Sequence, residues 1–151
     1  MTASVRITSD PFDPEGEAAR FRTRLGEGRA GAIVTFTGTV RGLPGEGTRL
    51  VLSHYEGYTD RVIGRFVSGA IDRFSLLGVV VVHRVGEMAP GTPIVFVATA
   101  TAHRRAAFEA CDFLMDHLKQ RAPFWKKEAG PEGARWIEPT LQDRTDLKRW
   151  E

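Results

Sequence analysis

The run Val79-Val80-Val81-Val82-His83-Arg84-Val85 does most to limit the folds open to this chain. Branching at Cβ stiffens these side chains and suits a pleated strand. The run does not alternate apolar with polar residues, so neither face is left for water, and the strand must be covered on both sides. Asp13-Pro14-Glu15 starts one possible cover, with Asp as N-cap and Pro at the first helical position. Ala18, Phe21 and Leu25 form its inner face. A second cover follows Thr59, read here as a cap, with Val62, Ile63, Phe66, Val67, Ala70, Ile71 and Phe74 turned inward.

The remaining segments are read by period. Val5–Thr8 is a short strand. Ala32–Arg41 is a clear one, with Ala32, Val34, Phe36 and Val40 on one face and Thr35, Thr37, Thr39 and Arg41 on the other. Gly42-Leu-Pro-Gly-Glu-Gly47 reads as a mobile loop and a possible lid. Arg49–Glu56 is another strand, and Pro90-Gly91 turns the chain into Ile94–Ala100. Arg135-Trp136-Ile137 reads as a short strand and Leu141–Trp150 as a polar, partly helical tail. Helices set between hairpins predict an α+β layered domain with a mainly antiparallel sheet. At 151 residues without repeats or a linker, 1–151 is expected to be a single domain.

Thr99–Glu128 concentrates the chemistry. Thr101 reads as the N-cap of a helix whose first turn holds His103, Arg104 and Arg105. Cations there oppose the helix dipole, costing about 0.3–1 kcal/mol each when exposed. Two readings follow: a solvated basic turn, or an anion site built from free N–H groups and basic side chains. Ala107, Phe108, Cys111, Leu114, Met115 and Leu118 form the apolar stripe, and Arg121-Ala122-Pro123 ends the helix. Lys119 borders that stripe, and Phe124-Trp125 carry Lys126 and Lys127 back into apolar surroundings. Lys119 and Lys126 are either surface lysines or a pair whose burial and mutual repulsion free an amine for chemistry.

Other classes find little support. Lys and Arg number 21 against 19 Asp and Glu, a net charge of +2, too balanced to argue for nucleic acid. No apolar run is long enough for a bilayer, no signal-peptide pattern opens the chain, and a single cysteine excludes an internal disulfide; a cytoplasmic location is expected. His54, His83, His103 and His117 show no metal-ligand spacing, so no metal site is expected. His54 and His83 read as structural groups within strands, and His117 as solvent-facing. Gly38-Thr-Val-Arg-Gly42 is no phosphate loop. Arg41 is notable because it sits where a strand meets a glycine loop. Cys111 reads as buried and inert.

Several motifs in order resemble the large, catalytic subunit of molybdopterin synthase. They are Phe36-Thr-Gly-Thr-Val-Arg41, Val81-Val-His-Arg-Val-Gly-Glu87, Ala102-His103-Arg104, Phe108-Glu-Ala110, Met115-Asp-His-Leu-Lys119 and Arg121-Ala-Pro-Phe-Trp-Lys-Lys-Glu128. The resemblance spans about Gly31 to Trp150. It implies an α/β hammerhead-like fold with a small additional β subdomain. It also implies sulfur transfer to cyclic pyranopterin monophosphate, forming the dithiolene of molybdopterin. The donor would be the thiocarboxylated Gly-Gly C-terminus of a small ubiquitin-like subunit, bound to each end of a homodimer to give a heterotetramer. No cofactor, nucleic acid or membrane is implied. By matching position, Lys119 and Lys126 are catalytic; Thr39, Val40, Arg41, His103, Arg104, Lys127 and Glu128 bind substrate; Phe36 and Met115 form pocket walls. Gly42-Leu43-Pro44 and Ser53-His54-Tyr55 depart from the family pattern. Two other classes compete: a non-catalytic basic pocket for a protein tail or nucleotide, and a single-stranded nucleic-acid binder stacking bases on Phe124 and Trp125.

Overall fold

A computed structural model describes residues 1–42, 47–131, 133–137 and 140–151. The expected lid falls largely on 43–46, outside the described residues. Strands and helices follow in the order β1 (Thr2–Thr8), α1 (Pro14–Leu25), β2 (Ala32–Thr39), β3 (Arg49–His54), α2 (Tyr58–Phe74), β4 (Gly78–Arg84), β5 (Gly86–Met88), β6 (Pro93–Thr101), α3 (Arg104–Gln120), β7 (Phe124–Gly130), β8 (Gly133–Ile137) and α4 (Leu141–Lys148).

The strands form two sheets, ordered β1-β4-β6-β2 and β5-β3-β7-β8. All pairings are antiparallel except β1 with β4. The valine run is the interior strand β4, and alternate residues enter different cores. Val80 and Val82 pack with Phe21 and Leu25 of α1. Val79 and Val81 pack with Ile63, Val67 and Phe74 of α2 and with Cys111 and Leu114 of α3. The sequence expectation of two covered faces holds. A third cluster, Val40, Leu52, Val85 and Met88, joins the second sheet to the first. No described helix is long and apolar enough to cross a membrane.

Several local expectations are corrected. Asp13 caps α1 as expected, accepting from the Glu15 N–H at 3.2 Å. Thr59 is not a cap; Gly57 is, with φ of 81°. Thr59 is buried, accepts from the Tyr55 N–H at 3.0 Å and donates to the Pro123 carbonyl at 3.1 Å. It thereby ties the end of β3 to the turn that leads into β7. Thr101 is not the cap of α3 either: its hydroxyl donates to the His103 carbonyl at 2.5 Å, and His103 takes the cap position. Phe108 leaves the helix stripe and is 62% exposed, while Phe113 is buried in its place. His117 is only partly exposed. Its Nδ1 donates to the Phe113 carbonyl at 2.8 Å and its ring packs against Phe66 and Phe113. β3 ends at His54, short of Glu56, and Val85 lies beyond β4.

The tail is helical over α4, closed by a reciprocal cap between Thr140 and Asp143 at 3.0 and 3.1 Å. Its far end is pinned to α3. One oxygen of buried Asp116 accepts from Arg149 at 2.7 and 3.2 Å and from the Trp150 indole at 2.6 Å. The C-terminal half of α3, which carries Lys119, is therefore held from two sides.

Candidate functional site

The reactive residues come from three elements meeting between the two sheets. β2 supplies Phe36 and Thr39, α3 supplies Met115 and Lys119, and β7 supplies Lys126. They line a pocket of about 240 Å³ that also takes in Gly38, Leu50, His83, Ile94 and Phe124. Strict alternation puts Thr39 opposite Phe36, yet both line the pocket. The register with β6 shifts between Gly38 and Thr39, with Ile94 of β6 as the extra residue, so regular alternation ends there. Gly38 is required for close approach, since a Cβ there would stand 2.7 Å from Val95 Cγ1.

β7 was not legible as a strand, yet it sets the site. It pairs antiparallel with β3, placing Lys126 opposite Leu52 and Lys127 opposite Val51. Alternation turns Phe124 and Lys126 to one face and Trp125 and Lys127 to the other. Phe124 stacks on the His83 ring at 4.2 Å and 24°. Burial pushes the pKa of the Lys126 ammonium down to about 8, with the charge of Lys119 acting the same way and Asp143 opposing. Near pH 7.5 roughly a quarter of such a group is neutral, about two hundred times more than for an ordinary lysine.

The other expected site residues do not join this pocket within one chain. Val40 is buried in the third core cluster, 8% exposed. Its N–H and carbonyl bond Thr92 and Gly91, which anchors neighbouring Arg41 at the start of β6. His103 and Arg104 follow Thr101, which pairs with Ala32 at the other end of both strands. Eight or nine strand residues separate the two positions, roughly 25–30 Å. The single anion site expected from Arg41, His103 and Arg104 is thus not formed inside one copy. Among the described residues none of the three is in an ion pair. Lys127 lies over the Trp136 ring at 5.7 Å. Glu128 pairs with Arg135 at 3.2 Å beside an open surface hollow of about 600 Å³ at the end of the β7–β8 hairpin. That hollow is larger than the lysine pocket but contains neither lysine.

Cys111 is 6% exposed, and burial pushes its thiol up to about 12. It is no thiolate nucleophile, as its place on the apolar stripe predicts. His83, read from the sequence as a structural group within its strand, lines the pocket. The available signal was one polar side chain inside an otherwise apolar strand.

Comparison with known proteins gives the family and the fold. A family model described as MoaE protein matches residues 7–121. A molybdopterin synthase catalytic subunit from Caulobacter vibrioides is 55% identical over 147 residues, 97% of this chain and 97% of its own. One from Cereibacter sphaeroides is 46% identical over 146 residues, 97% of this chain and 99% of its own. Among solved structures, the molybdopterin biosynthesis MoaE protein from Burkholderia ambifaria superposes with a TM-score of 0.82 at 41% identity, over 99% of this chain and 98% of that one.

Proposed function

The chain belongs to the MoaE family, and from that premise we propose that its lysine pocket performs the sulfur-transfer step of molybdopterin synthase. The substrate is cyclic pyranopterin monophosphate. The sulfur comes from the thiocarboxylated C-terminus of a small ubiquitin-like subunit. The observation that carries this reading is that Lys119 and Lys126 line one small pocket, where burial holds the Lys126 pKa down to about 8. Phosphate and thiocarboxylate are both anions, and a lysine charge in the pocket attracts each of them. Lys119 stabilises charge gathering on the phosphate as its ring opens. Lys126, as free amine, moves protons at the substrate carbons. Phe36 and Met115 wall the pocket, and Thr39 offers a hydroxyl at its rim.

A homodimer supplies what one copy lacks. β2 is an edge strand of its sheet and carries exposed Ile33 and Phe36, with Phe108 exposed on α3. An open apolar edge invites pairing. Antiparallel pairing of two β2 strands about a two-fold axis would bring Arg41 of one copy to the Ala32 end of the other. His103 and Arg104 lie at that end, so the phosphate would be held by two copies. With a small subunit at each end the assembly is a heterotetramer. Its place is the cytoplasm, where the lone buried thiol stays reduced.

The test is single-turnover conversion of cyclic pyranopterin monophosphate with saturating thiocarboxylated partner, read by fluorescence of the oxidised product. Lys119→Ala should lower the rate by a factor of about 10²–10⁴, the range for a positioned acid–base group, while its thermal melt stays near wild type. Lys119→Arg should not rescue it, because guanidinium keeps its proton. Near-wild-type turnover in Lys119→Ala would remove Lys119 from the chemistry.

A further inference from the structure

His83 ends the valine strand inside the pocket and is 7% exposed. Its Nδ1 lies 3.0 Å from the Arg84 carbonyl. A carbonyl only accepts, so Nδ1 carries the proton and Nε2 holds a bare lone pair. Among the described residues Nε2 has no hydrogen-bond partner, and it is not among the fully enclosed atoms left unpaired. The Phe124 ring stacked on it fixes the imidazole plane.

The lysine pair needs such an acceptor. When both lysines are protonated, two ammonium groups share this small pocket. Among the described residues no carboxylate lines the pocket, and Asp143 of α4 acts on Lys126 from outside its lining. The side-chain acceptors there are the Thr39 hydroxyl, the weakly accepting Met115 sulfur and His83 Nε2. His83 is packed against Phe124, two residues before Lys126 on the same face of β7.

We propose that His83 is a positioning residue for the lysine pair, its Nε2 accepting a hydrogen bond from the Lys126 ammonium whenever both lysines are charged. The inference rests on Lys126 being the group that gains and loses a proton. The imidazole must stay neutral for this, and its surroundings keep it so. Burial pushes its pKa down to about 4, and Lys126 on β7, Lys119 on α3 and His54 on β3 all act in the same direction against the Arg84 carbonyl. Lys126 is the stronger base, so the proton is held on Nζ and not passed to the ring.

Nuclear magnetic resonance on the isolated chain tests this without partner or pterin. ¹⁵N-labelled imidazole should show the Nδ1–H tautomer, neutral from pH 8 to below pH 5. Titration of the Lys126 Nζ signal should then be compared in three proteins. His83→Phe keeps the stacking ring but removes the acceptor, so the midpoint should fall by about half a unit or more. His83→Gln, whose amide oxygen reaches the place of Nε2, should stay near wild type. Should His83→Phe fail to fold, Lys126→Met in its place should shift the Nε2 resonance of His83 below pH 7. An Nε2–H tautomer, a ring titrating near 6.5, an unmoved Lys126 midpoint in His83→Phe, or an unmoved Nε2 resonance in Lys126→Met would overturn the assignment. Full sulfur transfer by Lys126→Met, with these signals intact in the unsubstituted chain, would instead count against the pocket as the sulfur-transfer site.

Discussion

Replacing Lys119 by Met isolates the electrostatic part of the lysine pair. Methionine keeps the length and apolar stem of the side chain and deletes only the charge and its protons. Lys126 is depressed from 10.5 to about 8, with burial the largest cause and Lys119 the next. That shift corresponds to about 3.4 kcal/mol between its two protonation states. A like charge sharing a small, partly wet pocket repels by about 1.4 kcal/mol, between the bulk-water and near-surface limits for close charges. Lys119→Met should therefore raise the Lys126 midpoint by about one unit and leave the burial component in place. The same shift appears in stability. The unfolded lysine keeps its proton up to its ordinary value of 10.5, whereas the folded one releases it from about 8. Between those values the unfolded state binds more protons, so this group makes stability rise with pH across the window. Below it, both states are charged and the folded chain bears the whole cost. Lys119→Met should remove about 1.4 kcal/mol of that cost at pH 7 and none of it above pH 11. The assay is a ¹⁵Nζ titration paired with urea unfolding at pH 7 and pH 11. A wild-type Lys126 titrating near 10.5, or identical midpoints in the two proteins, would refute the reasoning.

Two further outcomes are expected. Mixed dimers carrying Lys119→Ala in one copy and Arg104→Ala in the other should recover part of the activity that each homodimer lacks, because one hybrid site keeps every group; complete inactivity of the mixture, with hybrid formation verified by mass spectrometry, would place Arg104 outside a shared site. Cys111→Ser should retain sulfur transfer with at most a lower melting temperature, since its thiol is buried and pushed up to about 12; a folded, inactive Cys111→Ser protein would make the cysteine a sulfur carrier.

The sequence by itself determined the layers. The unbroken valine run of β4 demanded cover on both faces, and the Asp13-Pro14 start of α1 and the apolar stripes of α2 and α3 supplied it. These are local signals, because period and capping are written in neighbouring residues. The resemblance also picked out Lys119 and Lys126 by number. Only the tertiary structure decided how they meet. β7 carries too little pattern of its own and becomes a strand by pairing with β3, more than seventy residues earlier. Thr39 joins Phe36 on the pocket wall where the register with β6 shifts, which alternation alone does not show. His83 looked like any polar residue in a strand until Phe124 and the two lysines closed around it. Arg41 and Arg104 looked like one anion site, yet the antiparallel register of β2 and β6 sends them to opposite ends. Burial, proton affinity and distance belong to pairs of residues far apart in the chain, and only the folded arrangement of both sheets sets them.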